Sequence, residues 1–459
     1  MNMNHTFSAY LRENRERHLH QLSEFLRIPS ISALPEHKND IRRAAKWLSN
    51  EMKTIGLEHV EIMETDGNPI VYGDWLHTEG KPTVLIYGHY DVQPVDPLDL
   101  WDSPPFEPVI KDGKLFARGA SDDKGQIFMH LKALEALLAT ENGLPVNVRM
   151  IFEGEEEIGS PHLPAFVKKS LDLLKADCLV ISDTAMLDRG KPAICYGLRG
   201  LTGIEITVKG AKADLHSGAY GGGVRNAAQA LVELLASFHD SHGNVLVEGF
   251  YDDVRPLSEE ERRTFRSLSG DEKEICRELG VPDLFGEPGY CYQERIAARP
   301  TLEINGIFGG FTGEGIKTII PSKAVAKITC RLVPDQKPQK IYELLVRHVE
   351  AHKPKGVEVS YHPYDSGPPF LTPLDHPVIQ AAGKAYETVY GVPVTYIRSG
   401  GSIPIVAEFQ QQLKIPIVLM GFGLPNENYH APNEHFHLEN FEKGLEVLCQ
   451  YWFLLSSGF

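Results

Sequence analysis

Apolar positions recur along this chain with two different periods, and the way the periods alternate changes partway through. Phe7, Tyr10, Leu11, Leu19, Leu22, Phe25 and Leu26 return at helical spacing among charged residues, predicting an amphipathic helix over 5–27 that stops before Pro29. A second helix is predicted over about 40–55, ending at Gly56. Short apolar runs at 59–64, 69–73 and 83–87 then read as strands, and 124–140 returns to helical spacing. Further strand-like runs at 146–153 and 178–182 continue the alternation. Strands alternating with helices predict an α/β sandwich, a mostly parallel sheet flanked by helices.

After Gly197 the pattern changes. Residues 201–208 alternate strictly, 224–238 are helical, 302–304 and 324–332 are strand-like, 338–352 are helical, and 357–362 form a last strand. That order is β-α-β-β-α-β, a ferredoxin-like α+β unit. Residues 239–299 are too long for a plain connection and are expected to carry helices of their own. The α/β alternation resumes with 378–390, 394–397, 415–420 and 441–455. The expected organisation is a discontinuous first domain, 1–197 and 378–459, with 198–377 inserted into it.

The chain has 459 residues, more than one hydrophobic core readily organises. Its 62 acidic and 46 basic residues leave a net charge of −16, which argues against nucleic-acid or anionic-membrane partners. The six cysteines show no CxxC spacing and lie mostly in apolar surroundings, as buried free thiols in a reducing compartment would. Residues 1–26 carry charges throughout with no apolar h-region, and no later run reaches membrane-spanning length. A cytoplasmic protein is the expectation.

Acids and imidazoles cluster where the strand-like runs end, the crevice in which open α/β sheets build their sites. Asp122 follows the turn at Gly119; His89 and Asp91 follow 82–87; Glu155–Glu157 follow 146–153; Asp183 follows 178–182; His430 follows 415–420. A carboxylate such as Asp122 can bridge two divalent cations, one on each oxygen. His89 and Asp91, two apart at a strand end, point to one side and suit a metal-ligand imidazole held by a carboxylate, or equally a simple hydrogen-bonded pair. Piling acids after the apolar 148–152 is costly unless cations neutralise them, and two adjacent glutamates could divide the work of ligand and proton acceptor. Asp183 could instead cap a turn, and His430 could be an exposed loop residue. Carboxylates with two imidazoles suit Zn²⁺, with Mn²⁺ or Co²⁺ as substitutes, better than Ca²⁺.

Together the segments Tyr-Gly-His-Tyr-Asp-Val-Gln-Pro (87–94), Arg-Gly-Ala-Ser-Asp-Asp-Lys-Gly (118–125), Glu-Gly-Glu-Glu-Glu-Ile-Gly-Ser (153–160), Ile-Ser-Asp (181–183), Asp-Leu-His-Ser-Gly-Ala-Tyr-Gly-Gly (214–222) and Gly-Gly-Ser-Ile-Pro (400–404) resemble the carnosinase and cytosolic non-specific dipeptidase family of dinuclear zinc peptidases. The resemblance runs over nearly the whole chain. It implies that Asp122 bridges two zinc ions, with His89 and Asp183 on one and Glu157 and His430 on the other. Glu156 would be the general base for attack by a metal-bridging hydroxide, Asp91 would orient His89, and the Asp122–Asp123 peptide would be cis. His216, on an inserted lid and dimerisation domain, would polarise the scissile carbonyl in the partner subunit of a homodimer. Arg331, with Thr318, Gly401 and Ser402, would hold the carboxylate of a small peptide substrate. The implied reaction is hydrolysis of dipeptides or short peptides, with N-acyl-amino-acid hydrolysis at the same site as the alternative.

Overall fold

The computed structural model describes residues 6–364, 366–401 and 403–458, and the chain forms two compact units. One is built from residues up to Tyr196 together with Thr372–Ile397 and Glu408 onward; the other comprises Gly197–Leu371 and Arg398–Ala407. The second crossing thus falls at Thr372, ahead of the expected 378, and a short later stretch also joins the second unit. No helix among the described residues is long and apolar enough to cross a membrane.

The sheet of the first unit runs, in neighbour order, Glu58–Met63, Ile70–Trp75, Asn147–Glu153, Thr83–His89, Cys178–Ile181, Ile417–Leu419 and Ala193–Leu198. Its centre is parallel, Thr83–His89 pairing with both Asn147–Glu153 and Cys178–Ile181, and Ile417–Leu419 with Cys178–Ile181. The flanking pairs are antiparallel. Strands covered on both faces read as unbroken apolar runs, and Cys178–Ile181 is buried at every position. The helix Lys124–Thr140 is buried along nearly its whole length against the helices Leu438–Gly458 and Thr6–Glu13, so even Lys124 and Lys132 are inside. Lys132 survives there by pairing with Glu51 and Glu135.

The second unit carries a four-stranded antiparallel sheet ordered Thr301–Gly309, Lys323–Leu332, Gly200–Lys209, Glu358–Pro363. Helices Ala227–Ala236 and Pro338–His352 pack on this sheet, where Ile204, Ile206, Val208, Leu231, Ala326, Ile328 and Leu345 form one core. This is the ferredoxin-like unit. Residues 239–299 hold three helices, Glu259–Leu268, Glu272–Leu279 and Tyr292–Ala298.

Some elements depart from the pattern. The expected helix over 5–27 divides at Asn14 into Thr6–Glu13 and Arg15–Leu26. The helix Pro404–Leu413 was not anticipated. Nor was a small sheet of Val109–Lys111, Lys114–Phe116 and His435–His437, whose three-residue strands are too short to show a period.

Candidate metal centre

The parallel strands deliver the site at their carboxyl ends. Thr83–His89 ends on His89, whose side chain is fully buried, and Gly88 before it leaves room for the neighbouring turn. A Cβ at Gly88 would lie 2.2 Å from Ile127 Cγ2 and 2.6 Å from Asp123 Oδ2, so no larger residue fits. That turn, Gly119–Asp123, leads into the helix Lys124–Thr140, and its Asp122–Asp123 peptide is cis. The glutamates 155–157 follow Asn147–Glu153, and Asp183 follows Cys178–Ile181 by two residues. His430 sits in the loop before His435–His437 with φ +57°, a left-handed conformation uncommon outside glycine.

Asp122 is the shared member of two ligand sets, His89–Asp122–Asp183 and Asp122–Glu157–His430, in each of which the donor atoms lie within 4.8 Å of one another. Its Oδ1 is 3.2 Å from His89 Nε2 and its Oδ2 is 2.9 Å from His430 Nε2. Asp183 Oδ2 lies 3.8 Å from His89 Nε2, and Glu157 Oε2 lies 3.2 Å from His430 Nε2. His89 Nε2 is buried and makes no hydrogen bond in spite of these neighbours, which leaves that ring nitrogen available to a ligand from outside the chain. With acids outnumbering imidazoles and one orphaned ring nitrogen, the residues fit a pair of divalent cations.

The electrostatics follow from the crowding. Burial and the nearby Asp183, Glu157 and Asp122 push Glu156 up to about 8, against the pull of His89. Burial and Asp122 push Asp183 up to about 7. Asp122, though buried, is held well below the usual carboxylate range by the facing imidazoles of His430 and His89, and His430 is raised to about 10 by Asp122 and Glu157.

The three adjacent glutamates separate. Glu155 turns to the Asn68 N–H and His162, Glu157 joins a ligand set, and Glu156 belongs to neither set while lying in the field of both. Asp91 braces this turn: its two oxygens accept the N–H groups of Glu156 (3.2 Å) and Glu157 (3.1 Å), and Oδ1 is 3.4 Å from His89 Nδ1. Residues that pattern reading missed also hold it. Gln93 donates to Glu157 Oε2 at 2.8 Å, and Glu434, fully buried, accepts from the Asp122 turn. Glu434 stood in plain view four residues after His430, but an acid in a polar loop carries no periodic signal.

Of the remaining predicted residues, His216, Thr318, Arg331 and Gly401 lie in the second unit. His216 pairs with Ile319 in a two-strand ladder, the adjacent Ser217 N–H donates to the Thr318 carbonyl at 3.0 Å, and the exposed His216 ring accepts from Gly218 N–H. Arg331 lies opposite Thr301 and lines a cavity of about 750 Å³ together with Arg199, Arg295 and Arg299. Gly401 is exposed, its N–H donating to Ser399 Oγ. Ser402 lies outside the described residues. His376, in the first unit, caps the helix Pro377–Tyr390, its ring accepting the Val378 N–H.

Two imidazoles and two further carboxylates around one shared aspartate make a candidate two-cation hydrolytic centre. The chain belongs to Peptidase family M20/M25/M40, which it matches over residues 85–453. It is 33% identical to the Cys-Gly metallodipeptidase dug1 of Schizosaccharomyces pombe, covering 96% of this chain and 95% of that one. It is 31% identical to the Beta-Ala-His dipeptidase of Homo sapiens, covering 96% of this chain and 90% of that protein. Among solved structures, the M20 family metallo-carboxypeptidase Sso-CP2 of Sulfolobus solfataricus superposes with a TM-score of 0.81 at 36% identity, over 96% of this chain and 99% of that one.

Proposed function

We propose that this protein is a metal-dependent dipeptidase, hydrolysing the peptide bond of dipeptides and short peptides with a free C-terminal carboxylate. The observation that carries the reading is the shared carboxylate, Asp122, with one oxygen turned to His89 and the other to His430. His89, Asp122 and Asp183 would hold one cation and Asp122, Glu157 and His430 the other; the donor chemistry favours zinc, with manganese or cobalt as substitutes. Bound there, the cations would polarise the scissile carbonyl and acidify a water.

The chain's own groups do the rest. Glu156, beside the ligands but not among them, takes the proton of the attacking water and passes it to the leaving amine. Asp91 keeps His89 and the glutamate turn in register. His216 supports the developing oxyanion from the partner subunit of a homodimer, and Arg331, with Thr318, Gly401 and Ser402, receives the substrate's terminal carboxylate. The second unit thereby acts as lid and dimerisation domain of a cytoplasmic enzyme, a location the six free cysteines favour.

The metallo-carboxypeptidase likeness supports a second reading, in which the same centre trims single residues from longer peptides. A substrate panel decides. Dipeptides such as Cys-Gly and β-Ala-His should be cleaved, their N-acetylated and C-amidated counterparts much more slowly. A longer peptide cleaved faster than any dipeptide favours the carboxypeptidase reading, faster N-acyl cleavage favours an amidohydrolase, and equal rates on the amide exclude the carboxylate clamp.

A further inference from the structure

The loop that supplies His430 also supplies Glu434, whose side chain is fully buried and belongs to neither ligand set. Its Oε1 accepts the N–H groups of Ser121 (3.0 Å) and Asp122 (3.1 Å), and its Oε2 accepts the Gly119 N–H (2.9 Å) and Arg118 Nη1 (2.8 Å). All four partners are donors. A carboxylate offers about four lone-pair sites, so the match is one to one, and the guanidinium balances the buried charge. The backbone continues the same grip: Ala117 N–H donates to the Glu434 carbonyl, extending the ladder in which His435 pairs with Phe116. A second buried acid of the loop, Glu427, accepts from Ser121 Oγ and from the His437 N–H.

We propose that Glu434 is a positioning residue that locks the Arg118–Asp122 turn onto the His430 loop, and so fixes the bridging carboxylate relative to the imidazole it must share a cation with. The inference rests on the metal-ligand roles proposed above. Glu434 touches the backbone N–H of Asp122 and leaves both of its carboxylate oxygens free for cations. Because Asp122 belongs to both sets, a shift of the turn moves donors in both. The amide of Glu434→Gln would set an NH₂ against N–H donors on one side, and the turn must move to relieve it. Glu434→Asp keeps the charge and the acceptor sites on a shorter arm.

The test is titration of the metal-free protein with Zn²⁺ against a competing chelator, with the Co²⁺ absorption spectrum as a second readout, on the parent, Glu434→Gln, Glu434→Asp and Leu448→Ala. Leu448 is a buried core residue of the helix Leu438–Gly458 that belongs to neither ligand set, and its truncation controls for lost stability alone. Glu434→Gln should bind zinc about 10- to 100-fold more weakly and shift the cobalt spectrum, as partners that orient a metal ligand do. Glu434→Asp should recover part of the affinity, and Leu448→Ala should lower Tm and leave affinity and spectrum unchanged. Parental affinity and spectrum in Glu434→Gln overturn the role of Glu434. If that variant does not fold, the same result in Glu434→Asp overturns it, while weaker binding with a shifted spectrum supports it. A parent that binds no cation overturns instead the reading of the site itself, and the role of Glu434 falls with it.

Discussion

His430 and Asp122 stand 308 residues apart in sequence, yet Nε2 of one lies 2.9 Å from Oδ2 of the other. The other oxygen of the same carboxylate faces His89 at 3.2 Å. A single side chain thus joins a strand end near the start of the chain to a loop near its finish. The proposed chemistry depends on that join, since a carboxylate placed between two imidazoles is the bridging ligand a two-cation site requires.

Glu156 and Glu157 are adjacent but placed differently, and their amide variants should separate. Glu156→Gln keeps the volume and removes the basicity, so kcat should fall by at least about 10²-fold with metal content unchanged. Glu157→Gln should lower metal content. Metal analysis alongside kinetics checks this, and the reverse pattern means that the two roles are exchanged.

Asp91 spends both oxygens on the N–H groups of Glu156 and Glu157 and also faces His89. Asp91→Asn sets an NH₂ against one of those donors. Metal affinity or kcat/KM should drop about 10- to 100-fold. A variant with parental values in both would mean that Asp91 does not orient these groups.

The layout of the first unit was legible because buried parallel strands write themselves as apolar runs, and acids at the ends of such runs stand out. His89, Asp122, the triplet Glu155–Glu157, Asp183 and His430 stood out for that reason, the family resemblance singled out Glu157 within the triplet, and the structure brings His89, Asp122, Glu157, Asp183 and His430 into two adjoining sets. Glu434 and Gln93 could not, because they act on backbone or on another side chain from irregular loops. The sheet holding His435–His437 was missed because three residues are too few to show a period of two. Helix 404–413 was missed because its start lies within the glycine-rich stretch 400–404, which reads as a loop.

His130, which belongs to neither ligand set, gives a pH prediction. It is buried beside Ser182 Oγ at 2.8 Å, and burial alone lowers its pKa to about 3 from the ordinary 6.5. The folded state therefore disfavours the proton. The stability this group allows is full above about pH 6.5 and is lost as pH falls towards about 3, at up to about 1.4 kcal/mol per unit. The Tm advantage of the parent over His130→Gln should shrink as pH is lowered from about 7 to about 4. A constant difference across that range contradicts a buried neutral His130.

Complementation tests the action of His216 across a dimer. Inactive His216→Ala and inactive Glu156→Gln, mixed under conditions that exchange subunits, should form dimers with one site carrying both defects and one carrying neither. Activity should then return to as much as about half per mixed dimer. No recovery, with exchange verified, means that His216 serves its own subunit.

The most direct measurement is activity on a dipeptide as zinc is added stepwise to chelator-stripped protein, with bound metal counted at each step. Stripped protein should be inactive, and activity should rise until about two equivalents per chain are bound, as a two-cation site requires. Asp122→Ala, which removes the shared ligand, should bind neither ion tightly and stay inactive. Full activity in the stripped protein, saturation at one equivalent, or two tightly bound ions in Asp122→Ala would contradict a centre built on Asp122.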